Sequence, residues 1–220
     1  MTVLKSDDYE TGDLSKASST YGAPIVQSTI KYSGTYALAL PHFEPSSGRV
    51  EYAFIEAPTK IVAEFMFRTD FLPSLLFTSF NLFDLLWFNE EETLFKHFYA
   101  SAFLLPDPDN LLLGIGIEDT EYYDSISVPF SIDTWYKLKF EIDTAVGTYK
   151  MYINDIEVLS FNTPAGYIPD IKLVYFRSTI LFETEEYYTY FDDLVITDGA
   201  ADIKSASKTS INTLQVLMEV

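Results

Sequence analysis

Cysteine is absent from the 220 residues, so the chain has neither a disulfide scaffold nor a thiolate zinc site. Histidine occurs only as His42 and His97, too few and too far apart in sequence for a His-based metal centre; both are expected to be satisfied surface residues. Cations are scarce as well. The 14 Lys+Arg face 33 Asp+Glu, a formal net charge of −19. That balance argues against sequence-independent binding of nucleic acid or an anionic membrane, both of which need clustered positive charge. Apolar runs of spanning length are missing too. The longest candidate, Phe71–Phe88, contains Pro73, Asn81 and Asp84 and runs into Glu90-Glu91-Glu92. It reads as a pair of buried strands rather than a spanning helix, so no membrane insertion is expected. Met1–Asp8 has no apolar signal-peptide core, which predicts synthesis in the cytoplasm without a cleaved leader. Aromatic side chains, by contrast, are abundant: Phe 18, Tyr 16 and Trp 2, in a chain that is 48% hydrophobic. Such a load excludes intrinsic disorder and is ample for one large core.

The periodicity is that of strands. Val50–Pro58, Ile61–Asp70, Leu75–Leu82, Leu85–Asn89, Leu111–Ile117, Trp135–Asp143, Thr148–Ile153, Glu157–Phe161, Ile171–Arg177 and Thr189–Thr197 are short apolar or alternating runs separated by turn residues. In Trp135–Asp143 the pattern is plain: Tyr136, Leu138, Phe140 and Ile142 fall on one face, Lys137, Lys139 and Glu141 on the other. Asn154-Asp155 predicts a two-residue hairpin turn, because both residue types tolerate positive φ. Only Leu82–Phe98 approaches a helical period, and it allows at most a short helix. After Gly199 the texture changes. Residues 200–210 read as a linker and 211–220 as a terminal strand with Leu214, Val216, Met218 and Val220 on one face. That strand either folds back onto its own sheet or pairs with a neighbour as an assembly arm.

Four blocks resemble a known family. Asp8-Tyr9-Glu10-Thr11-Gly12-Asp13-Leu14 is similar to a "D-[FY]-E-[ST]-G-D-L" opening, and Ser33-Gly34-Thr35-Tyr36-Ala37-Leu38 to an "SG-[ST]-Y-A-L" strand. Asp133–Asp143 with Gly147–Asp155 resembles the "TWY … G-x-Y-x-x-Y-[IV]-[ND]" stretch, and Tyr190–Asp198 the closing "FDD-[LIV]-V-[LIV]-[ST]-D" strand, of concanavalin-A-like and laminin-G-like domains. The resemblance covers about residues 7–199 and implies an all-β, two-sheet antiparallel jelly-roll sandwich of lectin/glucanase architecture, with first and last strands side by side. Such domains serve as sugar-binding modules, glycoside hydrolases, adhesion modules and parts of bacteriophage virions; fold alone does not choose among them. The leaderless, Cys-free start and the strand-like tail resemble the virion versions most. The resulting expectation is a non-enzymatic virion-surface protein, a capsid decoration or tail component. Its partners would be other virion proteins or copies of itself, together with host glycans. A free, extracellular carbohydrate-binding module is the alternative, and a glycoside hydrolase the second.

Candidate sites follow from residue chemistry. Tyr122, Tyr123, Tyr187 and Tyr188, flanked by acids, are candidate sugar-stacking tyrosines; the competing reading is edge-strand tyrosines with phenols in water. Domains of this fold often hold Ca²⁺ between the opening and closing strands. Asp8, Glu10, Asp192 and Asp193 would supply the several hard oxygens that ion requires, unless they cap backbone amides instead. For hydrolysis, Glu141-Ile142-Asp143 lacks the second Glu of the glucanase pattern, and Glu183 with Glu185 has the spacing of a same-face pair but sits beside Tyr187-Tyr188 in what reads as a loop. Gly114-Ile115-Gly116 reads as an alternating strand whose glycines admit a close backbone approach, and no phosphate loop or Ser–His–Asp arrangement is present.

Overall fold

A computed structural model describes residues 1–42, 48–70, 79–88, 94–104, 110–118, 120–167, 171–177 and 187–199. Among these there are strands and turns but no α-helix. The strands are β1 (Val3–Asp7), β2 (Ser19–Gly22), β3 (Ile25–Gln27), β4 (Ala37–Pro41), β5 (Gly48–Ala53), β6 (Lys60–Thr69), β7 (Ser79–Phe88) and β8 (Leu94–Leu104). They continue as β9 (Asn110–Ile117), β10 (Tyr123–Pro129), β11 (Tyr136–Asp143), β12 (Thr148–Ile153), β13 (Ile156–Asn162), β14 (Leu173–Arg177) and β15 (Tyr188–Thr197).

The strands form two antiparallel sheets. One runs β13-β12-β11-β6-β15-β4-β3, with β1 also paired to β15; the other runs β10-β9-β8-β7-β14-β5-β2. Opening and closing strands therefore lie together, Asp7 opposite Leu194 and Ser6 opposite Val195. One edge of β15 is shared: Tyr188–Phe191 pair with β4, and Leu194–Thr197 with β1. A bulge at Asp192-Asp193, with Asp193 at φ 49°, makes that switch. An extra residue unpaired on one strand bends it and re-aims its side chains.

The core forms where alternation predicts. Leu138, Phe140 and Ile142 of β11 are buried while Lys137, Lys139 and Glu141 stay partly in water. Phe65 ties the layers together, 4.9 Å edge-on from Phe176 of the second sheet and 5.9 Å from Phe140 and from Phe191 of its own. A second aromatic stack joins Tyr149, Phe161 (4.6 Å) and Phe98 of the other layer (5.7 Å from Tyr149). The predicted hairpin turn is present, with Asn154 at φ 49° and Asp155 at φ 67°.

Three expectations change. Leu82–Phe98 contributes no helix among the described residues: Leu82–Phe88 closes β7 and Leu94–Phe98 opens β8. β7 is hydrogen-bonded on both sides, to β8 and β14, and such pairing overrides the helix propensity of its leucines. Of the predicted Leu75–Leu82 and Leu85–Asn89, the described parts belong to one strand, Ser79–Phe88, continuous across the Asn81/Phe83 irregularity; residues 75–78 and 89 lie outside the described residues. His42, expected at the surface, is fully buried with Nε2 3.1 Å from Thr189 Oγ1. No helix among the described residues is long and apolar enough to cross a membrane.

Candidate binding face

Residues directly opposite one another in an antiparallel sheet point to the same side. In the β10–β2 sheet one register line crosses all seven strands: Ser19, Glu51, Tyr175, Asp84, Tyr99, Gly116 and Tyr123. The alternate residues Val50, Tyr52, Val174, Phe176, Phe98, Ile115 and Ile117 belong to the core, so this line lies on the outer face. It is polar and aromatic. Its middle is closed off, with Glu51 at 8%, Tyr175 at 3% and Asp84 at 0% exposure, whereas Tyr123 at one end is 65% exposed. A flanking line places Tyr21, Arg49 and Arg177 side by side, with Tyr21 56% exposed.

Local chemistry holds these groups in place. Arg49 lies over the rings of Tyr21 (4.3 Å) and Tyr175 (5.4 Å), and Arg177 over Tyr175 (5.7 Å). Glu51 accepts from Ser19 Oγ and has Arg49 Nε 2.7 Å away, while Arg177 Nε is 3.8 Å from Asp84 Oδ2. Burial pushes the Tyr175 phenol above its usual range, as it does for Tyr99, so both stay protonated donors at neutral pH. Gly116 is required here by a side chain rather than the backbone approach expected from sequence: a Cβ would meet Tyr99 Oη at 2.8 Å and Tyr123 Cβ at 3.0 Å.

The tyrosines singled out in the sequence do not form one platform. Tyr123 stands outward on β10, but Tyr122 is partly buried against the core, edge-on to Tyr167 at 5.0 Å. Tyr188 belongs to the other sheet, its N–H held by Asp70 and its ring 6.1 Å from Tyr190, and the Tyr187 carbonyl accepts from His42 N–H. Tyr21, Arg49, Tyr175 and Arg177 were not anticipated. The signal that would have found them is the strand register, which sequence does not carry.

The four candidate calcium ligands are already engaged. Asp192 accepts Tyr32 N–H (3.0 Å) and Ser33 N–H (3.1 Å) on Oδ2 and Asp193 N–H (2.8 Å) on Oδ1. Asp193 accepts Ser33 Oγ–H (3.0 Å), and Asp8 pairs with Lys16 at 2.6 Å. Glu10 Oε1 takes the Thr35 and Tyr36 N–H groups at 2.8 and 2.9 Å, bonds that hold its carboxyl below the usual range. Gly34 makes room for that carboxylate, which a Cβ there would strike. Among the described residues no three acidic or histidine side chains are grouped to hold a metal ion. Asp7 behaves likewise in the interior: it is fully buried, accepts from Tyr9 N–H (2.9 Å) and Tyr52 O–H (3.0 Å), and burial raises its carboxyl pKa.

Across the molecule, a cavity of about 250 Å³ on the β11–β12 side is lined by Lys60, Glu141, Asp143 and Lys150. Its charges are spent internally: Lys60 on Asp143 (3.5 Å), Glu141 on Lys139 (2.9 Å) and Tyr152 Oη (3.0 Å), and Lys150 on Glu157 (2.7 Å). Glu183 and Glu185, the linker at 200–210, and Leu214, Val216, Met218 and Val220 lie outside the described residues.

Known structures share this two-sheet arrangement. The cellulose-induced protein Cip1 superposes over 88% of this chain and 96% of its own, with a TM-score of 0.65 and 14% identity. The chain is a jelly-roll sandwich. The same jelly roll is similar to a botulinum neurotoxin type C structure, a toxin whose cell entry depends on two ganglioside molecules, at 15% identity and TM-score 0.55. A sialidase matches at 11% identity and TM-score 0.58. The jelly roll spans 44% of the toxin chain and 19% of the sialidase chain. At these identities the likeness is one of fold. No protein-family model matches the chain, and no curated protein matches it in sequence.

Proposed function

We propose that this protein is a glycan-binding jelly-roll module that works without catalysis, using the outer face of the β10–β2 sheet. The observation that carries this reading is the pair of exposed tyrosines, Tyr21 and Tyr123, at the two ends of an outer face whose register line is polar and aromatic and whose partly exposed Arg49 and Arg177 lie beside Tyr21. Sugars are recognised by such a combination, since ring C–H faces stack on aromatics while hydroxyls bond to fixed donors and acceptors. Strands place these groups more rigidly than loops do, which lowers the ordering cost of binding. The neighbours lend support, the toxin being a ganglioside binder and the sialidase a sugar-acting protein by name. Against a hydrolytic role stands the Glu141–Asp143 segment, whose carboxylates are tied to Lys139, Tyr152 and Lys60.

Virion-surface display, with virion proteins or further copies as partners, is a proposed setting for this module; it rests on the sequence resemblance. Co-sedimentation with particles tests that setting separately.

The test of the binding reading is a glycan array followed by thermal shift. A ligand bound only by the native state raises Tm, by about 2.7 kcal/mol of stabilisation at one hundred times Kd. The expected result is a shift with a defined glycan, erased in Tyr21→Ala and Tyr123→Ala. A shift that survives both substitutions moves the site elsewhere and refutes this assignment.

A further inference from the structure

The chain contains three arginines, Arg49, Arg68 and Arg177, and two of them, Arg49 and Arg177, are direct cross-strand partners on the outer face of the β10–β2 sheet. Like charges placed opposite one another destabilise a sheet, so the pairing needs a compensating reason. Internal neutralisation supplies only part of it. Arg177 Nε lies 3.8 Å from Asp84 Oδ2, and the buried N–H makes no hydrogen bond. Arg49 Nε is 2.7 Å from Glu51 Oε1, yet it too has no hydrogen-bond partner, because the N–H is not aimed at that oxygen. Each guanidinium offers five N–H donors. The Nε groups are buried, so an acceptor from outside would meet the Nη ends of side chains that are 32% and 40% exposed.

The planes are held ready for one. Tyr175 lies within 5.4–5.7 Å of both guanidiniums, and Tyr21 stacks on Arg49 at 4.3 Å. Aromatic faces restrain an arginine through cation–π attraction, which reduces the entropy lost when a ligand arrives. A restrained planar fork matches a group with two or three coplanar or pyramidal oxygens, where a lysine would act only as a point charge.

We propose that this face recognises glycans through an anionic substituent, a carboxylate or sulfate, received between Arg49 and Arg177 with the sugar lying against the exposed ring of Tyr21. The inference rests on the glycan-binding reading and specifies its ligand class. The overall charge of −19 works against it only at long range. At physiological ionic strength charges are screened beyond about 8 Å, so the local pair decides.

The test is calorimetric titration of the full chain with matched probes: sialyllactose against lactose, oligogalacturonate against its methyl ester, a sulfated chondroitin disaccharide against its desulfated form, and sodium sulfate alone. The expected result is that at least one acidic sugar binds about tenfold or more tighter than its neutral parent, the scale of a charge-assisted hydrogen bond. Arg49→Gln and Arg177→Gln should each erase that preference, and Arg177→Lys should lose most of it. Arg68→Gln, on the opposite sheet and bonded to Asp133, should keep it. Arg177 is paired with the buried Asp84, so Arg177→Gln should lower Tm while Arg177→Lys keeps the charge, and titrations run well below both midpoints separate lost binding from lost fold. Acidic and neutral sugars binding equally would overturn the inference and leave the glycan-binding reading standing. Free sulfate binding as tightly as the sulfated sugar would reduce the site to a bare anion pocket and overturn it too. Absence of binding by every sugar in the panel would overturn both.

Discussion

Removing the Asp192 carboxylate tests the local design of the β15 bulge. Asp192 is 1% exposed and accepts three backbone N–H groups, from Tyr32, Ser33 and Asp193, at 3.0, 3.1 and 2.8 Å. Hydrogen bonds to a charged acceptor contribute about 1.5–3 kcal/mol each, less where water can replace the lost partner. Tyr32 and Ser33 are exposed, so their amides recover most of their bonding from solvent, whereas the bulge amide of Asp193 does not. Asp192→Ala should therefore cost about 3 kcal/mol, which for a domain of this size lowers Tm by about 6–12 °C. Asp192→Asn keeps one acceptor oxygen and turns an NH₂ toward the third donor, so about 1–2 kcal/mol is expected. Urea melts of the three proteins, followed by tryptophan fluorescence and fitted with a common m-value, provide the measurement. Calcium or chelator should leave all three midpoints unchanged, because the oxygens an ion would need are spent on amides. An alanine variant within about 0.5 kcal/mol of the parent would refute the reasoning, as would a calcium-dependent midpoint that Asp192→Asn abolishes.

Other substitutions probe separate parts of the fold. Phe65→Ala, which empties the contact with Phe140, Phe176 and Phe191, should cost about 3–5 kcal/mol by chemical denaturation. Gly147→Ala and Gly166→Ala share positive φ, at 76° and 68°, but a Cβ at Gly147 meets Thr163 Oγ1 at 2.7 Å and one at Gly166 meets nothing within 4 Å. The first should therefore lose several kcal/mol and the second only about 1–2, the cost of left-handed backbone alone. Asp7 gives a pH signature. Its folded pKa lies above 3.8 because of burial, so between 3.8 and that raised value the folded state binds more proton than the unfolded chain. The parent should thus lose stability relative to Asp7→Asn as pH rises through that window. A pH-independent difference, or one of opposite sign, counts against the raised pKa.

Much of this architecture is legible in sequence because alternation and turn chemistry are local. Tyr136, Leu138, Phe140 and Ile142 mark one face of β11 without reference to any other strand, and Asn154-Asp155 fix the hairpin by tolerating positive φ. The strands that escaped detection are those whose sequences carry no such signal. β10 is an edge strand exposed at most positions, reading Tyr-Asp-Ser-Ile-Ser-Val-Pro, and β2 is four residues long. Edge strands tolerate polar residues because only one side must pair. The Leu82–Phe98 region was ambiguous for the opposite reason: it is so apolar that neither period stands out, and pairing of β7 on both sides decides.

The candidate face was largely hidden. Arg49 and Arg177 are far apart in sequence and become neighbours only through the β5–β14 register. The paired tyrosines, conspicuous as dipeptides, were a poor guide, since consecutive strand residues point to opposite faces and Tyr122 and Tyr123 separate accordingly. The acidic residues proposed for an ion are hydrogen-bonded within the fold. Glu10, Asp192 and Asp193 bond to groups of Tyr32–Tyr36, whereas Asp8 pairs with Lys16.

The most direct measurement is an amide chemical-shift titration of the isotope-labelled protein with the tightest sugar from the array. Binding on the outer face of the β10–β2 sheet predicts saturable shifts clustered at Tyr21, Arg49, Tyr175, Arg177 and Tyr123, with the β11–β13 surface silent. Shifts confined to β11, β12 and β13, or a spectrum unmoved at saturating sugar, would contradict it.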